Sequence, residues 1–265
     1  MDLSTSTLPD GDWELVWNDE FEGDTLDESK WQYREHRFGG SVPQWSREAV
    51  RLNGEGQLEL TAFERDGEYL CGALQTGSNF LDKPGRPTFF ANDYIWPIGE
   101  MEPPTFEHTY GYWEIRCKLP NEPGWWGAFW LQSSIIGASL DYERTGVEID
   151  VMENFERTGK ISSNIHWGGY ADGHRSAGSG EIQVEDWQDQ FHNYGLLWTP
   201  TELTFFIDGK QSWTTSEAVP QCPQFLLVTT EIQGAAGGML KDAGIQNAAL
   251  PDVFVVDHVR VFDPA

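Results

Sequence analysis

Residues 146–155 read Gly146-Val147-Glu148-Ile149-Asp150-Val151-Met152-Glu153-Asn154-Phe155, three carboxylates interleaved with apolar side chains. Side chains of an extended strand alternate every second residue, so Glu148 and Asp150 share one face and Ile149 and Val151 the other. Glu153 falls out of that count. It rejoins the acidic face only if Val151 and Met152 form a bulge that absorbs one extra residue. The two glutamate Cα atoms then stand four effective steps apart, roughly 13 Å. Side chains leaning together bring the carboxyls toward the separation of about 5–5.5 Å that a retaining glycosidase needs between nucleophile and acid/base. The plain alternative is a solvated strand face. Three like charges with no Lys or Thr between them weigh against it, because such charges repel across an exposed face.

Working outward, the flanking segments also alternate. Residues 110–119 (YGYWEIRCKL) place Tyr112, Glu114, Arg116 and Lys118 on one side and Trp113, Ile115, Cys117 and Leu119 on the other, the pattern of an antiparallel sheet with one solvated face. In residues 123–132 (PGWWGAFWLQ), Trp126, Ala128 and Trp130 share a face opposite Phe129 and Leu131. The small Ala128 between two indoles leaves space for a flat sugar ring, though core packing also explains the pattern. Trp125 belongs to the same aromatic run and is a further candidate sugar contact. Residues 163–170 (SNIHWGGY) form the next strand, where His166 either bonds a carboxylate or sugar hydroxyl or serves as a structural histidine.

Elsewhere, residues 13–21 form a first strand, and residues 50–64 a hairpin turning at Asn53-Gly54-Glu55-Gly56. Residues 187–209 give two strands, residues 225–234 one strand carrying Glu231, and residues 254–262 a last strand with Val255, Asp257, Val259 and Val261 on one side. The proline-rich residues 67–104 read as long loops that carry function, with Tyr94 and Trp96 as candidate sugar contacts. About a dozen short strands without helical periodicity predict an all-β sandwich. No linker or repeat divides the chain, so residues 1–265 are expected to be one domain with residues 1–10 a flexible leader.

Composition narrows the ligand. The chain has 13 Trp and 14% aromatics, a surplus that suits an aromatic-lined carbohydrate cleft. Its 43 acids against 17 Lys plus Arg give a formal net charge of −26, which argues against nucleic acid and anionic membranes as partners. Arg34, His36, Arg37 and Arg47 are the one positive concentration, either edging the cleft or neutralising nearby acids. Three cysteines allow at most one disulfide and show no metal-site spacing; a buried thiol is expected at Cys117. There is no transmembrane run, and the first twelve residues lack a basic-then-apolar signal. That is compatible with export after trimming or with a cytosolic protein.

The string Glu148-Ile149-Asp150-Val151-Met152-Glu153 resembles the bulged E-x-D-x-x-E signature of glycoside hydrolase family 16, in its laminarinase-like and galactanase-like branches. The likeness extends over nearly the whole chain, through WNDEF, YGYWEIRCKLP, the Trp126–Trp130 run, FHNYGLLWTP and VDHVRVF. It implies a jelly-roll of two curved antiparallel sheets with a concave cleft, Glu148 as nucleophile, Glu153 as general acid/base, and Asp150 tuning both. It further implies sugar stacking on Trp126 and Trp130, no cofactor for catalysis, and one structural Ca²⁺ held by Glu20 and Asp257. Gly127 departs from the proline usual in laminarinases, and residues 164–174 and 229–234 also diverge. The expected protein is a secreted or cell-surface, monomeric endo-β-glycan hydrolase, first on laminarin-type β-1,3-glucan. The alternatives are a marine β-galactan as substrate, transglycosylation, or a non-catalytic lectin-like sandwich.

Overall fold

The alternation in the sequence becomes strands nearly throughout. The computed structural model describes residues 3–35, 45–79, 102–155, 158–170, 172–232 and 244–265. The first strands are β1 (Trp13–Asp19), β2 (Gln32–Tyr33), β3 (Val50–Leu52), β4 (Leu58–Arg65), β5 (Glu68–Leu70) and β6 (Ala73–Gln75). Then follow β7 (Gly111–Lys118), β8 (Trp125–Gln132), β9 (Glu148–Glu153), β10 (Lys160–Trp167), β11 (Arg175–Gly178) and β12 (Ile182–Gln183). The chain closes with β13 (His192–Trp198), β14 (Leu203–Ile207), β15 (Lys210–Thr215), β16 (Phe225–Ile232) and β17 (Asp252–Pro264). The one α-helix among the described residues is a single turn, Tyr142–Thr145.

These strands make two antiparallel sheets. One runs β15-β14-β13-β7-β17-β4-β3, with β1 added on β17 and β5 on β4; the other runs β11-β10-β9-β8-β16-β6-β2, with β12 added on β10. Together they form the sandwich that the alternation predicts, in the jelly-roll form that the family resemblance implies. Trp113, Ile115 and Cys117 of β7 and Val256, Val259 and Val261 of β17 meet Phe129 and Leu131 of β8, Ile149 and Met152 of β9, and Leu226 and Val228 of β16 in one apolar cluster. Burying each such side chain is worth about 1.5–3 kcal/mol, so the core fixes which face of the smaller sheet is left for chemistry.

Three expectations are corrected. Val255 and Asp257 do not share a side with Val259 and Val261. A bulge at Asp257 shifts the register of β17 on β7 between Val256 and His258, so Val256, not Val255, enters the core. The polar side of β7 is not solvated either: Tyr112 and Glu114 are fully buried. Thr5 and Thr7, within residues 1–10 that were expected to be a flexible leader, cover it. Thr7 N–H and Oγ1–H donate to Glu114 Oε2 at 2.8 and 3.0 Å, Tyr112 Oη donates to the Thr7 carbonyl, and Asn193 Nδ2 donates to the Thr5 carbonyl at 2.6 Å. All three cysteines are free and buried.

Candidate active site

The bulge in β9 is present. Asp150 and Glu153 face Asn164 and Ser162 of β10, three residues against two, and on β8 they face Trp130 and Ala128. Val151 and Met152 both turn into the core, which returns Glu153 to the face that carries Glu148 and Asp150. Asn154, next in sequence, locks this end of the strand. Its Oδ1 accepts the Gly127 N–H at 2.8 Å, and its own N–H donates to the Gly127 carbonyl at 3.3 Å. A proline at position 127 could not donate that bond, which accounts for its absence here.

Each carboxylate has its own partners. Glu148 Oε2 accepts from Gln132 Nε2 at 2.6 Å and from the Tyr170 hydroxyl at 2.9 Å, and Gln132 Nε2 also donates to Tyr170 Oη at 2.9 Å. Asp150 Oδ2 lies 3.3 Å from His166 Nε2. Glu153 Oε2 accepts from Asn164 Nδ2 at 2.9 Å. The carboxylate-bonding histidine was legible in the sequence. Gln132, Tyr170 and Asn164 were not, although the alternation that put Trp126, Ala128 and Trp130 on one face also puts Gln132 there.

Burial and crowding set the protonation. Burial, then the charge of Asp150, lifts Glu148 to about 7 against the pull of His166, Tyr170 and Gln132. Burial and Asp150 push Glu153 well above the ordinary glutamate range, and only the Asn164 bond among its main contacts opposes them. Burial works against a charged His166, yet its hydrogen bond to Asp150 and that carboxylate's charge raise it to about 9. Burial and the shared charge of Asp150 therefore hold both glutamates above the ordinary carboxylate range.

A fourth carboxylate joins the face. Glu231 of β16 pairs across the sheet with Trp126 of β8; burial lifts it to about 7, with Arg34 opposing and Glu148 and Asp150 adding to the rise. The Arg34 guanidinium, only 2% exposed, stacks 4.7 Å over Trp45 and 5.3 Å over Trp130. Of the basic concentration, then, Arg34 reaches the site, while Arg47 pairs with Glu35 at 3.0 Å and merely neutralises it. His36 and Arg37 lie outside the described residues.

The aromatic expectations divide by strand parity. Trp126 and Trp130, each 8% exposed, pack with Ala128, Phe225 and Leu227 on the carboxylate face, and Trp130 Nε1 donates to Thr229 Oγ1 at 2.9 Å. Trp125 is corrected. It is 2% exposed on the opposite face, inside the core, with its indole N–H bonded to Asp252 at 3.0 Å. Tyr94 and Trp96 lie outside the described residues.

The Ca²⁺ expectation for Glu20 and Asp257 is also corrected, on the chemistry of the donors. Both Glu20 oxygens accept from the Arg260 guanidinium, at 2.9 and 2.6 Å. Asp257 Oδ2 accepts from Arg116 at 2.8 Å and lies 3.2 Å from His258 Nδ1. Internal cations hold both carboxylates, so they do not fit a divalent ion. Glu148, Asp150 and His166 bring ligand atoms within 4.8 Å of one another, but a histidine protonated up to about 9 offers a proton there, not a lone pair.

Two antiparallel sheets whose smaller member displays a pair of buried glutamates across a bulge suit a carboxylate-based glycan-cleaving enzyme. The family model for glycosyl hydrolases family 16 matches residues 44–238, and the chain belongs to that family. It is 29% identical over 269 residues to glucan endo-1,3-beta-glucosidase A1 of Niallia circulans, covering 94% of this chain and 37% of that protein. It is 25% identical over 269 residues to the keratan-sulfate endo-1,4-beta-galactosidase of Sphingobacterium multivorum, covering 98% of this chain and 57% of that protein. The chain thus spans little more than a third of the first relative and over half of the second. The crystal structure of laminarinase from Flavobacterium sp. UMI-01 shares the fold, with a TM-score of 0.69 at 20% identity over 94% of this chain and all of that one.

Proposed function

We propose that the chain is a retaining endo-β-glycan hydrolase acting on a laminarin-type β-1,3-glucan. Glu148 is the nucleophile and Glu153 the general acid/base. The observation that carries this reading is two buried glutamates returned to one face by the bulge, each with its own hydrogen-bond partners. Glu148, with two hydrogen-bond donors on Oε2, ionises near neutrality. Burial and the Asp150 charge hold the Glu153 carboxyl well above the ordinary glutamate range, as a proton donor requires.

In the first step Glu148 attacks the anomeric carbon while Glu153 gives its proton to the departing glycosidic oxygen, leaving a glycosyl ester on Glu148. Esterification removes the charge of Glu148, one of the carboxylates that hold Glu153 protonated. Glu153 then ionises more easily and takes a proton from the water that hydrolyses the ester. Asp150, clamped to His166, keeps a fixed negative charge between the two. Trp126 and Trp130 line the sugar platform beside Ala128, and Glu231 offers a carboxyl to a sugar hydroxyl at its edge. No cofactor takes part. The reading extends to a monomeric protein that meets its polysaccharide outside the cell; no helix among the described residues is long and apolar enough to cross a membrane.

A neutral polymer suits a face that crowds Glu148, Asp150, Glu153 and Glu231 together, because a sulfate or uronate on the chain would meet like charge. A β-galactan is the second reading. The divergent residues 164–174 favour it, since Tyr170 of that stretch bonds Glu148 itself. Reducing-sugar release from laminarin, mixed-linkage glucan, agarose, porphyran and carrageenan, with product sizing, tests both. Laminarin oligosaccharides support the first reading, galactan oligosaccharides the second, and tight glycan binding without cleavage turns the chain into a lectin.

A further inference from the structure

The segment joining β10 to β11 reaches back over the site. Gly168 and Gly169 adopt left-handed backbone (φ 75° and 83°), and a Cβ at Gly168 would stand 2.5 Å from the Gly173 carbonyl oxygen, so the turn closes only with glycine there. This turn delivers two side chains. Tyr170 bonds Glu148. His174 meets His166 edge to edge, with ring centroids 5.2 Å apart, planes 10° from parallel, and its Nε2 3.0 Å from His166 Nδ1. Tyr170 stands beside His174 with its ring centroid 6.3 Å away and its plane 16° from parallel.

The two histidines cannot both carry Nδ1–H and Nε2–H protons across a 3.0 Å contact. His166 Nε2 faces the Asp150 carboxylate and needs a proton; the contact at Nδ1 is then filled either by a proton from His174 to a neutral His166 or by a proton from a His166 imidazolium to a neutral His174, and the two carboxylates beside His166 favour the second. We propose that His174 is a positioning residue of the reaction, the neutral acceptor that keeps His166 doubly protonated against Asp150 and so holds a cation beside the nucleophile. The inference rests on the hydrolase reading for its catalytic consequence, but the histidine pair stands by itself.

The charged and titratable groups facing His166 are Asp150 and Glu148 from β9 and His174 and Tyr170 from the turn. Asp172 and Arg175 flank His174 in the chain. The two carboxylates favour the cation, and His174, held neutral by burial and by the His166 charge, accepts without competing for it. The charge of His166 in turn lowers Glu148. Without the acceptor, the Nδ1–H of His166 loses its partner and the cation gives up its proton at lower pH.

The test is an NMR titration of the His166 ring in the full chain. His174→Phe keeps the ring's bulk and removes the acceptor, His174→Ala removes both, and His174→Gln supplies a neutral carbonyl acceptor. The Phe and Ala variants are expected to lower the His166 midpoint by about one unit, a charge-assisted hydrogen bond discounted for its exposed partner. The Gln variant should restore most of it. In parallel, the ratio of wild-type to His174→Phe kcat should grow between pH 7 and 9, the midpoints of Glu148 and His166, while KM stays constant. An unmoved His166 midpoint in both the Phe and Ala variants overturns the proposal, as does a raised KM with a flat kcat ratio, which would make His174 a sugar contact. Should wild type cleave no glycan, the hydrolase reading fails while the ring titration still decides the role of His174.

Discussion

Asn154 grips Gly127 twice, its side-chain oxygen taking the glycine N–H at 2.8 Å and its backbone N–H reaching the glycine carbonyl at 3.3 Å. The residue directly after Glu153 is thereby tied to the strand that carries Trp126 and Ala128, and Ala128 stands opposite Glu153 in register. Asn154→Ala leaves a buried amide without its acceptor and should cost about 1–3 kcal/mol, read as a lower urea midpoint. Because the bulge end loosens, kcat should fall more than KM rises.

Glu148→Gln and Glu153→Gln should each reduce hydrolysis by at least about a hundredfold while keeping the fold, since each removes one half of the acid–nucleophile pair. Azide separates the roles. Added to Glu148→Ala with an activated β-glycoside it should yield the α-glycosyl azide, the product of a single inversion. Added to Glu153→Ala it should yield the β-azide, formed after the covalent ester. The same anomer from both variants would refute the assignment.

The pH profile of kcat/KM should be bell-shaped. Its acid limb belongs to ionisation of Glu148, raised to about 7, and its alkaline limb to loss of the proton held by Glu153, which burial and Asp150 raise well above the ordinary glutamate range. Initial rates in buffers of constant ionic strength check this, and an acid limb at the ordinary glutamate value of about 4.3 would contradict it.

Glu231 makes a stability prediction of definite sign. Its folded value, about 7, lies above the ordinary glutamate value of about 4.3, so the native state binds more protons than the unfolded chain between those limits. The contribution is fully present below the lower limit and is lost as pH rises through the upper one. Glu231→Gln should flatten the fall in urea midpoint between pH 5 and pH 8.

Arg260, 2% exposed, should matter more than calcium for the outer layer of the larger sheet. It holds Glu20 and also donates to Thr5 Oγ1 and Ser6 Oγ at 3.1 and 2.7 Å. Arg260→Met strips the cation from a partly buried carboxylate and should cost about 3–5 kcal/mol, whereas EDTA should leave the melting temperature unchanged. A melting temperature that rises with added Ca²⁺ would contradict this account of the site.

Period-two alternation determined much of the molecule from sequence alone: the sandwich, the inward faces of β7 and β8, and the need for a bulge to align Glu153 with Glu148. It succeeds because a buried face must be apolar at every second residue, and three acids out of phase have one economical resolution. Parity also failed where the chain slips, because the bulge at Asp257 exchanged Val255 for Val256; Trp125, expected as a sugar contact, follows parity into the core with Phe129 and Leu131, opposite Trp126. The burial of Glu114 beneath Thr7, the stacking of Arg34 on Trp45 and Trp130, and the convergence of Tyr170 on Glu148 were decided only by tertiary structure. Each joins residues far apart in the chain through charge and hydrogen-bond geometry, and local patterning records which side of a strand a residue takes but not what arrives there.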